Sequence, residues 1–261
     1  MNGWMKDVVQ SRDLLYMLTW RELRIRYKQS IMGFMWALLM PTIITLAGVL
    51  IRIAASRISG EALSGAVIAT IAVKSLPWAF FVSSLRFGTA SLTSNASLVT
   101  KIKFPRLVFP LSSVTTSLAD LTVASPMVII LLPLLGVWPS WTWLWVPLLL
   151  LILVLFTAGV CVLLSAANLF FRDVKYLVEV IMTFAIFFTP VLYDADMVGR
   201  WRDLLLLNPV APILEGLAKT VVLGRQPELP WIGYSAAMAL LFGWGGFAFF
   251  RRVEPRFAES V

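Results

Sequence analysis

The sequence predicts an all-α integral membrane protein with about six transmembrane helices of roughly 20 residues each. Three observations carry that prediction. Hydrophobic residues make up 59% of the chain and charged residues only 14%, against about 25% charged in a soluble domain. The mean hydropathy of +0.86 is spread along the whole length, which excludes a soluble domain with one anchor. The 261 residues leave room for such spans and for short connections between them.

The same composition narrows the chemistry. There is no His, and the single Cys161 lies in an apolar run. Disulfide frameworks, Cys/His metal sites and His-dependent catalysis are therefore excluded. An intramembrane enzyme would also need a nucleophile and base at matching depth, which few buried acids and one Cys do not supply. Charge persists through about residue 28, and the first apolar run is long and lacks a cleavage pattern, so no signal peptide is expected.

Residues 1–30 are expected to form a cytoplasmic amphipathic interface helix. Over 11–30, Tyr16, Trp20, Leu23 and Tyr27 form one stripe and Leu14, Leu18 and Ile25 another. Arg21, Glu22, Arg24, Arg26 and Lys28 fill the sectors between them. Aromatic residues at the headgroup level and basic residues against anionic lipid suit a helix lying in the interface.

The transmembrane region covers 31–250, with spans near 31–51, 63–88, 107–135, 143–167, 174–193 and 231–250. Arg52 and Arg57 follow the first span on the outer side. In the second, Arg86 is close enough to the inner surface to snorkel. The third contains Pro110, Asp120, Pro126 and Pro133 and is expected to be bent or broken, because a helix-interior proline leaves a carbonyl that lipid cannot satisfy. The tryptophan-rich VWPSWTWLW at 137–145 fits an outer aromatic belt.

Between the second and third spans runs a short basic segment, 95–106, holding Asn95, Lys101, Lys103, Phe104, Pro105 and Arg106. A second basic turn, NLFFRDVK, covers 168–175. Both should face the cytoplasm, as should both termini and the 251–261 tail with Arg251, Arg252 and Arg256. Most of the 22 basic residues fall inside in this arrangement. Runs within 194–224 are too short to span, so two small outer re-entrant helices are expected near 199–207 and 211–223, with Glu215 and Lys219 four apart and able to pair.

Several segments resemble, in order, the permease subunits of polysaccharide-exporting ABC transporters of the ABC-2 type. The stretch at 20–41 carries Arg26, Tyr27, Lys28, Gln29, Ser30, Gly33, Trp36 and Pro41 in the matching places, with Met32 where Leu is more usual. The loop carries Asn95, Leu98, Val99, Lys101, Phe104 and Pro105 of an Asn-x-x-Leu-Val-x-Lys-x-x-Phe-Pro pattern. NLFFRDVK and LNPVAPILEGL are also similar.

The resemblance implies a homodimer in the bacterial inner membrane that exports a lipid-linked polysaccharide, O-antigen first, with a permease for small lipids or drugs as the alternative. It also implies a separate nucleotide-binding ATPase subunit that holds ATP and Mg. This chain has no G-x-x-x-x-G-K-S/T phosphate loop of its own. The 95–106 segment is expected to couple the ATPase to the spans.

A sugar path is expected along aromatic helix faces. One face carries Lys74, Trp78, Phe81 and Leu85; the other carries Tyr176, Val180, Phe184, Phe187, Phe188 and Val191, with Tyr193 beyond it. Lys74 and Asp120 are the deepest ionisable residues. They are expected either to neutralise each other or to place Lys74 against the pyrophosphate of a lipid-linked sugar, steadied by Asp120.

Overall fold

The computed structural model describes residues 12–28, 33, 35–59, 64–96, 98 and 105–257. Among these, α1 covers Arg12–Lys28, α2 Met35–Ser59, α3 Gly65–Ser94, α4 Val108–Leu134 and α5 Val146–Phe170. They are followed by α6, Val174–Phe184; α7, Arg202–Leu206; α8, Val210–Val221; and α9, Leu229–Val253.

Five of the described helical segments are long and apolar enough to cross a membrane: Met35–Ala54, Gly65–Ser94, Val108–Leu134, Trp141–Phe170 and Leu229–Val253. The expected fifth span differs. Helix α6 has only 11 residues, about 16 Å at 1.5 Å per residue, short of a hydrocarbon core about 30 Å thick. Beyond it the chain turns tightly, Phe187 N–H donating to Phe184 O at 3.1 Å and Phe188 N–H to Ala185 O at 3.1 Å.

The third span is one continuous helix despite its prolines. Pro110 lies in the first turn, where a missing N–H costs nothing. Pro126 cannot donate to Thr122 O, but the Ser125 hydroxyl does so at 2.9 Å. A neighbouring side chain thus fills the gap that would otherwise break the helix.

Helix α3 is the hub, packing against α2, α4, α5, α6 and α8. Its antiparallel register with α4 is fixed at two points. Ser83 and Ser117 share a hydrogen bond of 3.1 Å, and Gly65 lies so close to Leu135 that a Cβ there would meet its carbonyl oxygen at 2.8 Å. Helix α9 packs along α5, where a Cβ on Gly159 would meet Gly243 N at 2.5 Å and Phe242 O at 2.6 Å. Small residues let these two backbones touch.

Helix α1 does not lie free on a surface. Thr19 bonds Thr115 at 2.7 Å, Glu22 accepts from Ser112 at 2.8 Å and Thr116 at 3.1 Å, and Arg26 pairs with Asp120. These contacts advance in step on both helices, so α1 runs alongside the first half of α4. Leu18 and Tyr27 are buried, while Tyr16, Met17, Trp20 and Ile25 stay exposed.

At the opposite end of the bundle, Trp141–Trp145 forms a turn of 3-10 helix. Thr142 donates to Thr220 O at 2.5 Å and Trp143 Nε1 to Val221 O at 3.1 Å, tying it to the end of α8. The short helices expected between the last two spans are observed as Ala195–Trp201, interrupted at Gly199 (φ 53°), then α7 and α8.

Candidate functional site

Two polar centres interrupt the apolar bundle, both built on α3. In the first, Lys74 is completely buried. Its Nζ donates to Glu215 Oε1 at 2.7 Å, Asp194 Oδ1 at 2.9 Å and Tyr193 O at 3.1 Å. The other Asp194 oxygen takes Arg52 Nη2 at 2.9 Å, and Glu215 Oε1 also accepts from Ala195 N–H at 3.0 Å. Two cations and two carboxylates balance, and all three ammonium donors are used. The centre clamps the 193–221 segment onto the first two spans.

A second cluster flanks that segment. Glu228 accepts from Arg202 and from Lys219, and Arg202 also reaches Asp196 at 2.6 Å. Burial alone would raise the Glu228 carboxyl, but the hydrogen bonds from Arg202 and Lys219 outweigh it and hold the group below its ordinary value.

The second centre on α3 lies toward its other end, in a cavity of about 730 Å³ bounded by α1, α2, α3, α4 and α6. Most of its wall is apolar, from Trp36, Met40, Pro41, Ile43 and Ile44 of α2 to Leu76 and Phe80 of α3 and Met182 and Ile186 near α6. Its polar groups are Arg26, Tyr27, Ser83, Arg86, Ser117, Asp120 and Thr183. Asp120 is taken by Arg26 and the Tyr27 hydroxyl, and Arg26 also stacks over Phe87 at 4.2 Å. Burial, and then the bond to Asp120, push the Tyr27 phenol well above its ordinary value, so it stays a donor.

Arg86 is different. Its Nη2 touches Thr183 Oγ1 at 3.2 Å, its Nε is buried without a hydrogen-bond partner, and no acid pairs with it among the described residues.

Residues 13–222 match the family described as ABC-2 type transporter. The chain belongs to the ABC-2 type transporter family. It is 30% identical over 259 residues to the O-antigen export system permease protein RfbA of Myxococcus xanthus, covering 98% of each chain. Two proteins of the same description from Klebsiella pneumoniae are 28% and 29% identical, each over 95% of both chains.

In this ABC-2 protein the sequence-predicted residues separate into distinct places. Lys74 and Asp120 do not meet. The register set by Ser83 and Ser117 puts Asp120 level with Phe80, six residues and about 9 Å from Lys74. Glu215 and Lys219 do not pair either, because Glu215 serves Lys74 and Lys219 serves Glu228. Trp78 and Phe81 are buried, Phe81 stacked on Phe156 at 6.2 Å. Tyr176, Val180, Phe184, Phe187 and Phe188 face outward, whereas Val191 is buried. Tyr193 turns its hydroxyl to Phe187 O at 2.9 Å.

Of the expected coupling residues, Lys101, Lys103 and Phe104 lie outside the described residues. Asn95 accepts from Arg21 at 2.5 Å. Arg106 donates to Glu254 O at 2.7 Å and lies over Phe257, joining the start of α4 to the end of α9 beside Pro105. On α1, Trp20 stacks with Arg24 at 5.4 Å, and Trp20, Arg24 and Lys28 line a shallow surface hollow.

Sequence reasoning missed Arg86, Asp194 and Arg52 as members of these centres. No local signal could have singled out Arg86, because Lys74 on the same helix lacks a nearby acid in the sequence just as Arg86 does.

Proposed function

We propose that this chain is the membrane permease of an ATP-driven exporter that moves a lipid-linked polysaccharide of O-antigen type across the bacterial inner membrane. The observation that carries the reading is the match, over nearly the full length of both chains, to three permeases of O-antigen export systems. The multi-pass bundle is compatible with it, having five helices able to cross a membrane.

In this reading two copies form the path and a separate ATPase subunit binds ATP and Mg. The outward aromatic face of Tyr176, Phe184, Phe187 and Phe188 supports a path wall between copies. Flat rings give a sliding sugar contact area with few hydrogen bonds to break. Both termini and the segment with Asn95, Lys101, Lys103, Phe104, Pro105 and Arg106 face the cytoplasm, and that segment carries the ATPase's motion into α3 and α4. Helix α1, bonded to Asn95 through Arg21 and to α4 through Glu22, supports such a linkage. The segment from Asp194 to Gly224 covers the outer mouth.

Deleting the gene tests the proposal. Lipid-linked glycan should accumulate on the cytoplasmic side and clear when the gene is restored. Unchanged surface glycan in the deletion strain, with small amphiphiles retained instead, would overturn it.

A further inference from the structure

The cavity beside Arg86 has the shape and charge of a site for a phosphate-headed lipid. Arg86, which pairs with no acid among the described residues, stands toward one end, the Arg26–Asp120 pair lies between, level with Phe80, and aliphatic side chains close the other end. On α3, Ser83 and Arg86 stand toward the first end and Leu76 at the second, with Arg86 ten residues from Leu76 along the sequence, about 15 Å along the helix. Helix α2 runs antiparallel beside them, fixed by the Thr45–Ser75 hydrogen bond of 3.0 Å. This places Ile44 level with Leu76 and Ala37 level with Ser83. A molecule filling the cavity would meet cation and hydroxyls at one end and aliphatic wall at the other.

The charge balance says which head fits. Arg26 and Asp120 neutralise each other, so the net charge left in the cavity is that of Arg86. An ionised residue within a membrane span is stable beside an opposite charge or water, and the described residues offer Arg86 only the neutral Thr183 hydroxyl. Its Nε is nevertheless withdrawn from solvent. A planar guanidinium with free donors matches phosphate oxygens in paired hydrogen bonds. Lys74, on the same helix, shows the contrasting case of a cation already filled by protein carboxylates.

We infer that this cavity binds the phosphate or diphosphate head and first tail segment of the lipid that carries the cargo, with Arg86 as its head-group ligand. The inference rests on the export reading above and assigns the carrier's binding place within it. The Ser83 and Thr183 hydroxyls lie beside the head, and the Ile44–Leu76 wall holds the tail.

The test uses the full chain in nanodiscs and a long-chain isoprenyl diphosphate with a photoreactive group in its tail. Label should appear on the peptides holding Met40 to Ile44 and Leu76 to Phe80. Arg86→Gln should weaken labelling about tenfold through loss of one charge-assisted contact, with Arg86→Lys retaining part of it. The unlabelled diphosphate should compete, whereas the matching neutral alcohol and phosphatidylglycerol should not; these competitions use the unaltered protein and need no variant to fold. Equal competition by the alcohol or by phosphatidylglycerol, full labelling of a folded Arg86→Gln protein, or cross-linking of these peptides to a second copy instead of lipid would each overturn the inference. Binding is read without transport. Unchanged surface glycan in the deletion strain with head-selective labelling intact would therefore count against the export reading alone, and head-independent labelling with export lost on deletion against this assignment alone.

Discussion

Helix α3 carries two cations twelve residues apart that met opposite fates. Lys74 is fully enclosed and donates to two carboxylates and a carbonyl. Arg86 is partly enclosed and has a neutral hydroxyl. A buried charge surrounded by its own protein's acids is a fastener, and removing it strands its partners. A charge left short of acids in an apolar cavity is a receptor. The difference lies in what the fold brings to each residue, since neither has an acid beside it in the sequence.

The sharpest way to break the comparison is at Lys74. Lys74→Met should cost about 3–5 kcal/mol, the range for breaking a buried ion pair, because Glu215 would keep only the Ala195 N–H. Adding Glu215→Leu should recover a large part of that loss. Thermal unfolding in detergent measures both, and a Lys74→Met protein as stable as wild type would end the fastener role.

Acid should act on the flanking Glu228 cluster. A carboxyl held below its ordinary value, here 4.5, contributes stability that is fully present above that value and is lost as pH falls through the lowered one. With 39% of the side chain exposed, the contribution is about 1 kcal/mol or less. The stability gap between wild type and Glu228→Gln should close below about pH 4.5. A gap that persists or widens in acid contradicts the assignment.

Arg86 should give the smallest change in stability. Arg86→Gln is expected to shift unfolding by no more than about 0.5 kcal/mol, as for a side chain outside any tight network. A loss comparable to that of Lys74→Met would place Arg86 among the fasteners and erase the distinction.

Much of the fold was legible because membrane-crossing helices announce themselves by length and apolarity. Five of the expected spans recur as helices, and the amphipathic 12–28 stretch and the short segments before the last span are helical where the pattern placed them. The stretch at 174–193 misled because its apolar run is long enough, yet helix stops at Phe184 and tight turns follow.

The candidate site was less legible because its pairings are remote in sequence. Lys74 meets Asp194 and Glu215 across 120 and 141 residues, while helix depth alone pointed to Asp120. Glu215 looked served by Lys219 four residues on, a local option that lost to a fully buried ammonium. Snorkelling explained Arg86 only while its surroundings were unknown.

The touching backbones of α5 and α9 have a mechanical consequence. Where Gly159 leaves no space for even a methyl group against Phe242 and Gly243, neither helix can slide or roll past the other without collision. The pair is a keel. Helix α2 packs instead against α3 and α4, and its outer residues Met40, Ile43, Leu46 and Leu50 are exposed and outside this contact. Spin labels on Leu155 and Leu240, both exposed, should keep one spacing through every nucleotide state, and a spacing that changes would show that the keel bends.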